Sequence, residues 1–197
     1  KPLDHLFALS YPSVVKVHLV CESRLYIHVH RLLAALLDAD EDFFASLKHC
    51  RLLINASRGA VVDNDALLAA LDDGVVECAA VDVWENEPDI NLSLLNKAYI
   101  ATPHIAGYSA EGKINATSIV LGGFARYVNY AGELPVLRLD APERPIVKAP
   151  TEAEAHLAIY SPLDDTMMLK NAPGDFESLR NNYRLRRELS AYTIEIG

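Results

Sequence analysis

Between residues 51 and 130, short apolar runs alternate with segments of helical periodicity, and no other feature constrains the fold as strongly. RLLINAS, 51–57, is apolar and stops at Arg58-Gly59. Asp63 or Asn64 then caps a helix, DALLAALDDG, that ends at Gly74. VECAAVDVW, 76–84, is a second apolar run, and AYIA, 98–101, is a third, closed by Thr102-Pro103. Ser109 begins a long helical stretch to about Asn129, with Ile114, Ile119, Val120, Phe124 and Val128 on one broad face. Apolar runs without polar alternation fit strands covered on both faces. Their alternation with helices predicts a parallel α/β sheet.

The flanks are less regular. VVKVHLVC, 14–21, and LYIHVH, 25–30, read as strands, and 31–37 and 41–47 as helices, the second capped by Asp40. Residues 131–150 carry Pro135, Pro142, Pro145 and Pro150 and read as a linker or edge strand, with a domain boundary near 135. The tail reads as a strand at 156–160, a helix at 175–189 and a strand at 191–196, a small α+β unit.

Composition excludes several functions. The 197 residues carry a net charge of −9, which argues against a nucleic-acid partner, since phosphates demand a surplus of Lys and Arg. No apolar run reaches the ~20 residues that cross a bilayer, and no leader is apparent, so a cytoplasmic protein is expected. The three cysteines show no CxxC spacing and read as buried hydrophobes, and no metal is expected. All nine glycines lie at Gly59 or later, so the first 58 residues hold no glycine-rich phosphate loop.

Open parallel sheets bind ligands at the carboxyl ends of their strands. Three such ends carry polar residues: Asn55-Ala56-Ser57-Arg58-Gly59, Asp82 to Glu87-Pro88, and Thr102-Pro103-His104 to Tyr108. A histidine paired with a carboxylate is a general acid/base. An arginine fork beside it suits a substrate carboxylate. The set fits proton removal from a hydroxyl next to a carboxylate. Taken singly, His104 also reads as a loop or core histidine, Arg58 and Asp82 as a structural pair, and Trp84 as core.

INASRGAVVDNDAL, AAVDVWENEP and ATPHIAGYS resemble, in order and spacing, the three signature segments of the D-isomer-specific 2-hydroxyacid dehydrogenases. The resemblance implies a partial Rossmann-like parallel sheet, the incomplete NAD-binding domain 1–135, followed by a small α+β dimerisation domain, 136–197. It implies NAD as cofactor and a homodimer held by 136–197. Arg58 would bind the substrate carboxylate, and His104 would take the hydroxyl proton as hydride leaves. Glu87, which directly precedes the proline, would pair with His104 in preference to Glu85. Asp82 would face the nicotinamide carboxamide. Ala56, Ser57, Arg58 and Gly107 would line the cofactor, and Tyr108 would contact substrate. Tyr108 and the tail GDFESLRNNYRLRRELSAYTIEI are similar to a branch of the family that acts on a small phosphorylated hydroxyacid. Related enzymes of phosphoglycerate or of glyoxylate and hydroxypyruvate are the alternative, as is a dimerising remnant without catalysis.

The N-terminal third departs from that family. VKVHLVCES, 15–23, is similar to the strand that ends in the ribose-binding acid, with Glu22 in that place. LYIHVH carries Val29 and His30 where the family has Thr and Pro, and His28 and His30 read as strand histidines. With no substrate domain and no glycine-rich loop, a weakened hold on the cofactor and impaired activity are expected. Arg180, Arg184, Arg186 and Arg187 read as a solvated helix face or dimer salt bridges, or as a grip on phosphate.

Overall fold

In the computed structural model, which describes residues 17–21 and 39–197, the alternating segments build a four-stranded sheet. Its order is β1 (Val17–Cys21), β2 (Cys50–Asn55), β3 (Ala79–Val81) and β4 (Ile100–Ala101). β2, β3 and β4 are parallel, with Asn55 beside Val81 and Val81 beside Ala101. β1 pairs antiparallel with β2, so the sheet is mixed rather than wholly parallel. An antiparallel strand at the edge of a parallel sheet is common, and hydropathy carries no direction from which to foresee it. The strand expected over 25–30 and the helix over 31–37 lie outside the described residues, as do Glu22, His28 and His30.

The chain forms two compact units, Lys1–Ala101 and Thr102–Gly197. Among its described residues the first contains the sheet and three α-helices: α1 (Glu41–Ser46), α2 (Asn64–Asp72) and α3 (Leu92–Lys97). Each starts on a short polar side chain that accepts a backbone N–H: Asp40 from Phe43, Asp63 from Asp65 and Ala66, and Asn91 from Leu94. α2 ends before Gly74, which takes φ +72°, a left-handed conformation that costs glycine nothing. α3 went unread in the sequence because its six residues span less than two helical turns. The apolar run 76–84 yields only three residues of strand. Val76 makes an isolated bridge to Cys50, and the chain turns after Val81. Leu53, Val62, Leu67, Val76, Leu94 and Leu95 form a core that is closed to solvent.

The second unit begins with Ser109, whose hydroxyl accepts from Gly112 N–H and caps α4 (Ala110–Tyr127). β5 (Ile146–Ala149) pairs in parallel with β6 (Thr193–Ile196), reinforced by Lys148 and Glu195 at 3.0 Å. Helices α5 (Glu152–Ile159), α6 (Pro162–Asn171) and α7 (Phe176–Asn181) stand between them. The strand expected at 156–160 is therefore a helix. The overlooked signal is the N-cap pattern Thr-x-x-Glu: Thr151 Oγ1 accepts from Glu154 N–H at 3.2 Å and donates to the Glu154 carboxylate at 3.0 Å. The helix expected over 175–189 stops at Asn181, so Arg184, Arg186 and Arg187 lie beyond it and form no helix face. Within the second unit 105–111 is bonded to 183–188: Ala110 N–H donates to Arg186 O at 2.9 Å, and Glu188 N–H to Glu111 Oε2 at 3.0 Å.

Thr151→Ala removes the cap of α5 and is expected to lower stability by about 1 kcal/mol. Chemical denaturation compared with the parent chain checks this, and an unchanged midpoint would contradict the cap.

Candidate active site

The first unit contributes two loops. After β2, Asn55 is 1% exposed and organises its own turn. Its Oδ1 accepts from Ser57 N–H at 3.2 Å and from Ser57 Oγ at 2.8 Å, and its Nδ2 donates to Arg58 O at 3.2 Å. Buried polar groups satisfied in this way hold a loop in one shape. Ala56 and Arg58 are left exposed, and Ser57 is buried. Arg58 Nη1 donates to Ser57 O at 2.6 Å, and the rest of its fork has no partner among the described residues.

The loop after β3 carries the carboxylates. Asp82 is 7% exposed and Trp84 is core, as its aromatic bulk suggests. Glu85 Oε2 accepts from Asn64 N–H at 2.8 Å, which spends that carboxylate on the start of α2. Glu87 Oε1 accepts from Trp84 N–H at 2.8 Å and is half-buried. The two glutamates thus differ in duty: Glu85 ties two elements together, and Glu87 is set by its own loop. Gly59 joins the two loops. A Cβ there would sit 1.9 Å from the Trp84 carbonyl oxygen, so only glycine allows this approach.

The second unit begins with the segment directly after β4. Thr102 is buried, His104 and Tyr108 are half-buried, and Gly107 is exposed. His104 has φ +57°, the left-handed region in which a side chain costs about 1–2 kcal/mol. Such strain persists where the surroundings impose it, and it concentrates at working sites. Tyr108 N–H donates to Ile105 O at 2.8 Å and closes the turn. The Tyr108 ring lies under Lys113 Nζ at 4.0 Å and edge-on to Tyr183 at 6.1 Å.

This segment is tied to the tail. Arg186 Nη1 donates to Ile105 O at 2.9 Å and Nη2 to Ala106 O at 2.5 Å. Ser109 Oγ donates to Glu188 at 2.7 Å, and Arg187 Nε donates to Glu111 at 2.6 Å. Burial alone would raise the Glu111 pKa, but the hydrogen bond from Arg187, the backbone N–H groups and the Arg187 charge outweigh it and hold the carboxyl below its ordinary range. No sequence signal marks Arg186 or Glu111 as partners of these groups, because the pairs lie some 80 positions apart.

Parallel strands whose carboxyl ends carry an arginine fork and a buried carboxylate have the arrangement of a Rossmann-like α/β fold. Residues 35–106 match the family model described as D-isomer specific 2-hydroxyacid dehydrogenase, NAD binding domain. The chain is also 46% identical over 156 residues to an erythronate-4-phosphate dehydrogenase of Bacteroides thetaiotaomicron, covering 79% of this chain and 44% of that one. It is 41% identical over 166 residues to an erythronate-4-phosphate dehydrogenase of Escherichia coli O139:H28, again covering 79% and 44%. A glyoxylate reductase structure from Paecilomyes thermophila matches at TM-score 0.44 and 31% identity, over 55% of this chain and 33% of that one. The chain thus spans less than half the length of the curated relatives it matches.

NAD is the dinucleotide of the matched domain. The chemistry of the donor set is compatible with a nicotinamide end: Asp82 is a buried carboxylate, and the 55–58 turn is held in one shape by Asn55. No described helix is long and apolar enough to cross a membrane.

Gly59→Ala forces the 55–59 and 82–87 loops apart and is expected to cost about 1–3 kcal/mol, read as a lowered denaturation midpoint. Glu111 tests the tail lock through pH. Its carboxyl is lowered in the folded state, so its stabilisation is complete above the ordinary glutamate pKa of about 4.3 and fades as pH falls through the lowered value. Glu111→Gln is therefore expected to be less stable than the parent at neutral pH, with the gap closing in acid. A gap that persists unchanged in acid would show that its charge plays no part.

Proposed function

We propose that this chain carries the chemistry of a 4-phosphoerythronate dehydrogenase, the oxidation of 4-phospho-D-erythronate at C2 with NAD, a step of pyridoxal 5'-phosphate biosynthesis. One observation carries the reading. The alignments to relatives of that name run over 156–166 residues, far beyond the 35–106 segment that marks the wider family. They therefore run well past residue 106, into the unit that begins at Thr102.

Bound NAD would supply the hydride acceptor, held by Ala56, Ser57, Asp82 and Gly107. Arg58 would take the substrate carboxylate with the part of its fork not engaged by Ser57, and orient C2. An imidazole nitrogen of His104 would accept the C2 hydroxyl proton as the hydride departs, leaving a ketone. Glu87 would pair with His104 and favour the imidazolium that results. Tyr108 would contact the substrate. Lys113, 4.0 Å from the Tyr108 ring, would then bring a cation near the substrate's anionic groups.

A homodimer is part of the reading. In the unit Thr102–Gly197 only Ile105, Ala155, Leu169 and Phe176 are buried hydrophobics, while Phe124, Tyr127, Val136, Met167 and others are exposed. That apolar excess supports burial against a second copy.

Turnover is measured as reduced nicotinamide formed from 4-phosphoerythronate and NAD. His104→Ala is expected to lose about 10²–10⁴-fold in kcat. Arg58→Ala is expected to raise KM for the hydroxyacid about 10–100-fold, the loss of a charge-assisted pair. Full activity in either variant would overturn its assigned role.

A further inference from the structure

The groups that hold the His104 loop come from the tail, some 80 residues away in sequence. Arg186 is the centre of that hold. Its two terminal nitrogens donate to successive carbonyls, Ile105 at 2.9 Å and Ala106 at 2.5 Å, the two residues that follow His104. Its own backbone carbonyl accepts from Ala110 N–H at 2.9 Å, and the chain around it bridges to Ser109. Both ends of the 105–110 segment are therefore tied to one residue.

Arg186 is itself held. Its guanidinium stacks over the Tyr160 ring at 4.6 Å, and Nη1 reaches the Tyr183 hydroxyl at 3.5 Å. Tyr160 and Tyr183 both donate to one oxygen of Asp165, at 2.9 and 3.3 Å. The Tyr183 ring then meets Tyr108 edge-on. A planar fork serves two carbonyls at once, which a single ammonium cannot do with the same geometry. His104 sits in a strained left-handed backbone, and such a conformation survives only where neighbouring bonds over-determine it.

We propose that Arg186 is the positioning residue of His104: the Tyr160–Asp165–Tyr183 cluster fixes its guanidinium, and the guanidinium fixes the Ile105 and Ala106 carbonyls and with them the histidine's backbone. Arg186 touches neither substrate nor cofactor in this role. The catalytic half of the proposal rests on the reading of His104 as the acid/base.

The test uses the full chain and the Tyr108 amide, which donates to Ile105 O and reports on the turn without any turnover. Hydrogen exchange is followed by NMR, with the α2 amides as an internal record that the first unit is folded. Arg186→Met is expected to speed exchange of the Tyr108 amide about tenfold or more, the loss of charge-assisted bonds to two carbonyls. Arg186→Lys is expected to fall between, and Arg184→Met, an exposed neighbour, to match the parent. If Arg186→Met unfolds the chain, Tyr160→Leu and Arg186→Lys decide, since each weakens the hold and keeps a cation. An unchanged Tyr108 amide, or an equal rise in Arg184→Met, overturns the proposal. In turnover, kcat is expected to fall about tenfold or more in Arg186→Met with KM for NAD unchanged. A loosened turn with unchanged kcat, where His104→Ala abolishes activity, overturns the catalytic half. A loosened turn with His104→Ala fully active sinks the acid/base reading and leaves the structural hold standing.

Discussion

Parallel pairing of three short strands is the constraint on which the rest depends. Leu53 N–H donates to Cys78 O, Asp82 N–H to Asn55 O, and Tyr99 N–H to Ala79 O. These bonds set β2, β3 and β4 running the same way, so the chain leaves each strand at the same edge of the sheet. The common edge of the arginine loop and of the loop with the carboxylates follows from that direction. Antiparallel pairing would have sent alternate loops to opposite edges.

The loops are held by different means. The 55–58 turn satisfies itself through one buried asparagine. The 82–87 loop is braced by Glu85 on Asn64 and by the close approach of Gly59. The His104 segment draws on the tail, through Arg186 and Glu188. If His104 is the acid/base proposed above, a backbone fixed by a distant segment would tie catalysis to the folding of that segment. This gives a physical reason why a tail of this kind would accompany this chemistry.

Helix starts were the most legible level of structure. Asp40, Asp63 and Ser109 each cap the helix that begins beside them, because a short polar side chain before an amphipathic run is a local signal. Strand lengths and the tail were less so. HLAIY has the composition of a strand, yet it is helical because Thr151 starts a helix upstream of it by capping the Glu154 N–H. DFESLRNNYRLRREL has helical composition, yet the chain leaves the helix at Asn181 to lay 183–188 along 105–111.

What the sequence determined by itself is the set of chemical groups and the strands that carry them: Arg58, Asp82, Glu87 and His104, each just past an apolar run. Periodicity and capping are encoded within a few residues, and a reader of the chain can recover them. Tertiary structure alone decided which way β1 runs, which glutamate is spent on α2, and that Arg186 reaches the carbonyls after His104. Those outcomes depend on hydrogen bonds between residues some 20 to 80 positions apart. No local pattern records such a bond, because its partners meet only after the chain has folded.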